Sequence, residues 1–496
     1  MQRRDYYIEF HEELDRALQA FVRERLEKDP FAFHVAGHSV AIPLVTSLFY
    51  QLMGEREAYN AARLKGKSIS SSLAPAVSYL ACFSCDAPTG ETGETGETDE
   101  DTPTGETGKT GETDEDAPDG ETEEKNDPQA HEWQEALKPF RGQLVFYLYN
   151  YRQLNYLAPL LRHLDTPAVL LSSFDLPDEA EELHLPACVT SVPFPLDCPD
   201  HPREAAFSSN FPFLYAEVYT FDLLVRMLAP RCVICLEGCH AEEQAWAVIA
   251  RDYGIPAVGI QQGWPSMIRT GFRQLPFADY FTWGDRFNAC WQRYNPRPRF
   301  ASLGYMYEVE DAVSTAGREA VSFFLQGPLF LSDGNYLQEL IGLLEEAAAA
   351  CPEQLFWVRE HPEFPLPETE RSRIKALSNI AFVSDLPLKQ VMRRSRIVVS
   401  HFSSSLMECL VHGALPLAYD PTSGSRYYPD LEAEKLGKIA KNPEEFRACL
   451  SFMQDHYEQI REQVRRRIPA WFARTGRDTL EAMKKRLLSF PVRGDG

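Results

Sequence analysis

Apolar and polar positions alternate along this chain with two different periods, and the change of period marks its elements. Residues 1–85 carry apolar positions three and four apart, as in FHEELDRALQAFVRERLEK, which predicts a mainly helical segment. From residue 131 short continuous apolar runs take over. GQLVFYLYN, PAVLLSSF, CVICLEG and PAVGIQQG read as strands, with QLNYLAPLLRHL, FLYAEVYTFDLLVRMLA and AEEQAWAVIARDYG as the helices between them. A second alternation begins near residue 320. Its strands are AVSFFLQG, QLFWVREHP, IAFVSD, RIVVSHF and LPLAYD, and its helices YLQELIGLLEEAAAA, PLKQVMRRS and SLMECLVHG. This order predicts an α/β fold with two Rossmann-like parallel-sheet domains, 131–310 and 320–442, followed by C-terminal helices over 443–496. A chain of 496 residues has room for both.

The segment 86–130 breaks the pattern. It repeats GET, contains GETDED twice and holds no large apolar side chain, so it cannot offset the entropy of ordering and is expected to be disordered. Its GKT lacks the earlier glycine of a P-loop. Much of the net charge of −23 sits in this tract. The remainder is only mildly acidic and carries no long basic stripe, so no nucleic-acid partner is expected. RRR at 465–467 and KKR at 484–486 suit solvated helix faces, or a peripheral contact with an anionic membrane. No apolar window reaches the about 18 residues of a membrane span, and the N-terminus has no signal-peptide core, so the expected location is cytoplasmic, with the inner membrane face as an added site.

Some motifs mimic chemistry that their context denies. FHVAGHSVA resembles a nucleophile elbow at Ser39, but the residues before it read as helix, where a hydrolase would need several strands. CVICLEGCH offers Cys232, Cys235, Cys239 and His240. The first two lie in a strand and face opposite sides, so no metal site is expected. Cys82 and Cys85 are weak grounds for redox chemistry, and the eleven cysteines read as reduced thiols.

Four segments fall at the carboxyl ends of strands, where α/β sheets bind ligands: Glu237-Gly238, QQGWPS with Gln262 and Gly263, REHP with His361, and SHFSSS. Ser403, Ser404 and Ser405 stand where a strand passes into a helix. Unpaired N–H groups and small hydroxyls there form a phosphate-binding pattern, of which simple capping would explain one serine. Glu408 follows Ser404 by one helical turn and could receive a ribose hydroxyl or remain a surface charge. His361, held extended by Pro362, could contact or protonate a leaving phosphate. Glu237 is the candidate base, and His240 the reserve.

The order strand, REHP, strand, helix, SSSLMECLVHGALPLAY resembles the C-terminal domain of GT-B glycosyltransferases that build bacterial capsule and lipopolysaccharide. GIPAVGIQQGWPSMIRTGFRQLPFADYFTWGDRF is similar to their central segment. The resemblance spans about residues 140–450 and implies a GT-B-like fold: an acceptor domain over 131–310 faces a nucleotide-sugar domain over 320–442 across a cleft. It implies an inverting, metal-independent transferase moving a sugar from a nucleotide-sugar donor to a glycan or lipid-linked glycan, with no further cofactor. Families using CMP-activated sialic acid or 3-deoxy-octulosonic acid carry a His-Pro and a Ser-rich motif that contact the nucleotide phosphate. His361-Pro362 and Ser403–Ser405 match these, which slightly favours a CMP-linked donor. Their acidic-acidic-Gly motif is met only by Leu236-Glu237-Gly238, one acid short. CDP-glycerol-type (CDP-alditol) phosphotransferases and UDP-sugar 2-epimerases share features of this region. An epimerase-like isomerase, a CDP-alditol phosphotransferase and a non-catalytic glycan-binding relic are the alternatives.

Overall fold

The structure, a computed structural model, describes residues 6–82, 135–176, 183–194, 207, 210–265, 268–309, 317–326, 335–401, 403–421 and 430–492. The acidic repeat at 86–130, with its GKT triplet, and Cys85 lie outside the described residues.

The N-terminal segment is helical apart from one short hairpin. The helices Tyr7–Lys28, Ala41–Leu52, Arg56–Leu64 and Ile69–Cys82 enclose β1 (His34–Val35) and β2 (His38–Ser39), so Ser39 lies in a two-residue strand. The segment packs on the first α/β unit through helix Ala241–Asp252. Polar bonds fix the contact. Thr270 Oγ1 donates to Asp15 Oδ1 at 2.6 Å, Arg273 pairs with Glu12 and Asp15, and His38 lies between Asp222 and Asp252.

The first parallel sheet contains β3 (Leu144–Leu148), β4 (Ala168–Ser172), β5 (Val189–Pro193), β6 (Cys232–Leu236), β7 (Ala257–Ile260), β8 (Asp279–Thr282) and β9 (Arg299–Ser302), in the order β5-β4-β3-β6-β7-β8-β9. The second contains β10 (Ala320–Phe324), β11 (Leu355–Arg359), β12 (Ile380–Phe382), β13 (Ser395–Ser400), β14 (Leu415–Tyr419) and β15 (Lys438–Ala440), in the order β12-β11-β10-β13-β14-β15. Every pairing within both sheets is parallel. This is the predicted pair of Rossmann-like domains. Strands β3 and β6 are buried throughout because helices cover both faces of the sheet. Leu144, Phe146 and Cys232 enter one core cluster, while Val145, Tyr147 and Cys235 enter the other. The two cysteines therefore face opposite sides, as strand geometry requires.

Each sheet reverses its strand order once, between β3 and β6 and between β10 and β13. Ligands of open α/β sheets bind at such switch points, beyond the carboxyl ends of the strands. Glu237 follows β6, and Ser403–Ser405 follow β13, so both occupy the equivalent place in their sheets.

The chain ends by returning to the first domain. Helix Gly476–Leu488 packs on helix Tyr151–His163, and Trp471 and Phe472 join Phe287 and Trp283. Aromatic contacts of this kind add roughly 0.5–1.5 kcal/mol each beyond area burial. The basic clusters here meet carboxylates. Arg465 and Arg466 pair with Glu462, Lys484 with Asp165, and Arg486 with Asp279. No helix among the described residues is long and apolar enough to cross a membrane.

Candidate active site

Glu237 carries a left-handed backbone, φ 66°, and Gly238 continues it at φ 70°. A non-glycine residue there costs about 1–2 kcal/mol. The strain turns the chain out of β6 while a hydrogen bond from Glu237 N to Ile260 O at 2.7 Å keeps it on the sheet. A side chain at Gly238 would collide with Phe277, its Cβ falling 2.3 Å from that ring. Tyr280 donates to the Glu237 carbonyl at 2.8 Å, fixing the turn from below. Burial pushes the Glu237 carboxyl upward, opposed by Arg269, by the Cys239 thiol and by Arg152. A carboxylate raised toward neutrality is better matched to accepting a hydroxyl proton.

Gly263 brings this carboxylate and the serine segment together. A methyl group at Gly263 would lie 3.5 Å from Ser404 Oγ and 3.6 Å from Glu237 Oε1. The loop after β7 thus brings one point of its backbone near both, on the side where Gly263 carries no side chain. Gln261 anchors that loop: its Nε2 donates to Gly263 O and its Oε1 accepts from Trp283 N at 3.0 Å. Gln262 stands partly exposed beside it.

On the opposite side, Ser403 Oγ accepts from Ser405 N at 3.2 Å, and Ser404, the N-cap residue of the helix, makes no side-chain capping bond. Ser404 Oγ donates to Glu408 Oε1 at 2.9 Å, and Tyr305 Oη donates to Oε2 at 2.8 Å. Each oxygen of Glu408 is thus already engaged, so a ribose would have to share them. Burial raises the Glu408 carboxyl, and the two hydroxyls oppose the shift. Ser405 is buried, and its hydroxyl has no hydrogen-bond partner among the described residues. The helix Ser405–Val411 is only seven residues long, so its end offers individual N–H groups more than a large dipole.

His361 follows β11. Glu363 N donates to its Nδ1 at 3.2 Å, which assigns the ring proton to Nε2. Burial and then Arg152 lower its pKa, so the neutral ring offers one N–H. Arg152, on the first domain, pairs with Glu363 at 3.2 Å across the cleft and acts electrostatically on both His361 and Glu237. Arg359 turns away and binds the carbonyls of Val383 and Leu386.

His240 is the N-cap of helix Ala241–Asp252 and stacks on Tyr149 at 4.3 Å and Tyr50 at 5.7 Å. Burial and Arg269 bring its pKa down to about 4, leaving a weak base. Cys239, His240 and Glu243 offer ligand atoms within 4.8 Å of one another. They fit a cation poorly. Glu243 already accepts from Gln153 and His240 N, burial holds Cys239 as a thiol, and Arg269 places a positive charge nearby.

Arg152, Tyr149, Tyr50, Arg269 and Tyr305 belong to this region and were not foreseen. Their only local signal is position: Tyr149 and Arg152 follow β3 at the switch point, whereas Tyr50 arrives from the N-terminal helices. A hollow of about 390 Å³ lies elsewhere, among Gln19, Arg23, Ala41, Val45 and Gln274. Its charged lining side chains, Arg23 and Glu27, both come from helix Tyr7–Lys28 and not from the strand ends.

No known family profile matches the chain, and no curated protein matches its sequence. Solved structures do match. The glycosyltransferase of kitacinnamycin is 14% identical with a TM-score of 0.49, covering 71% of this chain and all of that one. UDP-GlcNAc 2-epimerase from Neisseria meningitidis, bound to UDP-GlcNAc, is 11% identical with a TM-score of 0.47, over 70% of this chain and 99% of that one. The spinosyn rhamnosyltransferase complexed with spinosyn aglycone is 13% identical with a TM-score of 0.40, over 70% and 99%.

Proposed function

We propose that the protein is a glycosyltransferase that moves a sugar from a nucleotide-sugar donor to a glycan or lipid-linked glycan of the surface-polysaccharide kind. The observation that carries this reading is the space beside Gly263, where an added Cβ would meet both Glu237 and Ser404. A candidate proton acceptor and a candidate phosphate-binding segment thus face each other across the ends of two parallel sheets.

In this reaction Glu237 takes the proton of an acceptor hydroxyl as that oxygen attacks the donor's anomeric carbon. The bond from that carbon to the phosphate oxygen breaks, and negative charge grows on the nucleotide phosphate. The N–H groups and hydroxyls of Ser403–Ser405, with Nε2–H of His361, are the donors we assign to that charge. Attack from the side opposite the phosphate gives inversion. Gly263 suits the space between the partners because a larger side chain there would intrude on both.

Calorimetric titration with CMP, CDP, UDP and GDP tests the donor side, and nucleotide release from the matching sugar donor with a glycan acceptor tests the reaction. Binding of one nucleotide and acceptor-dependent release are the expected results. Conversion of UDP-N-acetylglucosamine to its 2-epimer without acceptor would overturn the reading in favour of an isomerase.

A further inference from the structure

Arg269 is a half-buried cation with no ion pair among the described residues. Its guanidinium lies over the rings of Tyr50 at 5.7 Å and Phe272 at 5.4 Å. Its Nε is buried with no hydrogen-bond partner, and no carboxylate of the described residues forms an ion pair with it. Arg273, four residues later, has Glu12 and Asp15, and Arg371 has Glu360. Desolvating a charged donor set without a partner is costly, so such a site usually awaits one.

The surroundings extend the pattern. His11 is 1% exposed, and neither ring nitrogen has a partner. Its ring lies 5.1 Å from Phe49, which in turn lies 5.7 Å from Tyr50. Burial, followed by Arg269, Arg56 and Arg273, lowers the His11 pKa well below its usual value, so three guanidinium groups add their field at this place. The hydroxyl of Tyr50 is also buried without hydrogen-bond geometry to a partner. Arg269 as a whole retains partial exposure.

We propose that Arg269, with Tyr50 beside it, forms a subsite for an oxyanion carried by the acceptor, a carboxylate or a phosphate, next to Glu237. The chain of contacts supports the placement. Tyr50 stacks on His240, and the Cys239 thiol points to Glu237 Oε2 at 3.8 Å. An acidic acceptor held by Arg269 would present its hydroxyl to the carboxylate of Glu237. This extends the transferase reading and rests on it for the word acceptor, while the anion site itself stands on the geometry alone.

The test titrates the full chain with inorganic phosphate and separately with acetate, both in the presence of saturating nucleotide to occupy the serine segment. Arg269→Gln should weaken binding of the preferred anion about tenfold or more, and Arg269→Lys should weaken it less. Glu237→Gln should tighten it by removing a like charge. The preferred probe distinguishes the source: phosphate a phosphorylated acceptor, acetate a sugar acid. Equal affinity in wild type and Arg269→Gln, or no anion binding to wild type, overturns the subsite. Should Arg269→Gln fail to fold, unchanged affinity in Arg269→Lys together with no tightening in Glu237→Gln overturns it equally. Ser404→Ala reads the other site: lost nucleotide binding with intact anion binding shows the two to be separate, and failure of wild type to bind any nucleotide would sink the transferase reading while leaving the anion site standing.

Discussion

Tyr305 donates to Glu408 across the two domains, Oη to Oε2 at 2.8 Å. Tyr305 follows β9 of the first sheet and is 3% exposed, while Glu408 lies one turn into the helix after β13 of the second. The bond therefore couples the packing of the two sheets to the carboxylate that holds Ser404. Tyr305→Phe keeps the ring and removes the donor. Stability should fall by about 1–2 kcal/mol, the cost of leaving a partly buried carboxylate short of one partner, and nucleotide affinity should fall with it as Ser404 loses its fixed orientation. Denaturant melts and calorimetry check both, and an unchanged melt would show the bond to be incidental.

Glu237→Gln preserves size and removes the base. Nucleotide binding should persist while turnover falls by roughly 100-fold or more. Near-normal nucleotide release would take Glu237 out of the mechanism and turn attention to His240.

Ser404→Ala and His361→Ala should each weaken nucleoside-phosphate binding by roughly 1–3 kcal/mol, if the lost bond is charge-assisted and buried, and affect the unphosphorylated nucleoside much less. Because Ser404 also donates to Glu408, a purely structural role would instead lower stability and spare phosphate affinity. Titration of nucleotide and nucleoside separates the two outcomes.

His38 binds Asp222 through Nε2 at 3.0 Å and Asp252 through Nδ1 at 3.1 Å, so both ring nitrogens must donate. Burial disfavours the imidazolium, but the two carboxylates outweigh it and raise the His38 pKa. The contribution to stability is fully present below the unfolded value of about 6.5 and is lost as pH rises through the higher folded value. Asp222 is depressed by His38 and Tyr253 despite its burial, so its share is present above about 3.9 and lost as pH falls through the lower folded value. Stability measured against pH should decline on the alkaline side of pH 6.5 in wild type and lose that decline in His38→Phe. Parallel profiles would exclude the coupling.

Gly284 meets the returning C-terminal segment: a Cβ there would lie 2.4 Å from the Trp471 carbonyl. Gly284→Ala should cost about 1–3 kcal/mol by pushing that segment off the first sheet. Gly342, inside helix Asn335–Ala350 with open space around it, is the contrast. Gly342→Ala should stabilise by about 0.5–1 kcal/mol through helix propensity. Thermal melts of both variants decide whether close approach matters at Gly284.

Local pattern determined much of this protein. The runs that became β3, β6, β10 and β13 are apolar because both faces of a parallel strand are covered, and that requirement is written residue by residue. The positions of Glu237 and Ser403–Ser405 at strand ends followed from the same reading. Three of the four edge strands, β5, β9 and β15, escaped it, since partial exposure dilutes their apolar signal, while β12 was read from IAFVSD. Only the tertiary structure decided what meets across the cleft. A Cβ at Gly263 would meet both Glu237 and Ser404 because two separately wound sheets are held at one distance, which no local period encodes. Tyr50 reaches His240, a few residues after Glu237, because a helical segment at the other end of the sequence packs on helix Ala241–Asp252. Periodicity records which face of an element is buried; the identity of the element that buries it is fixed by long-range packing.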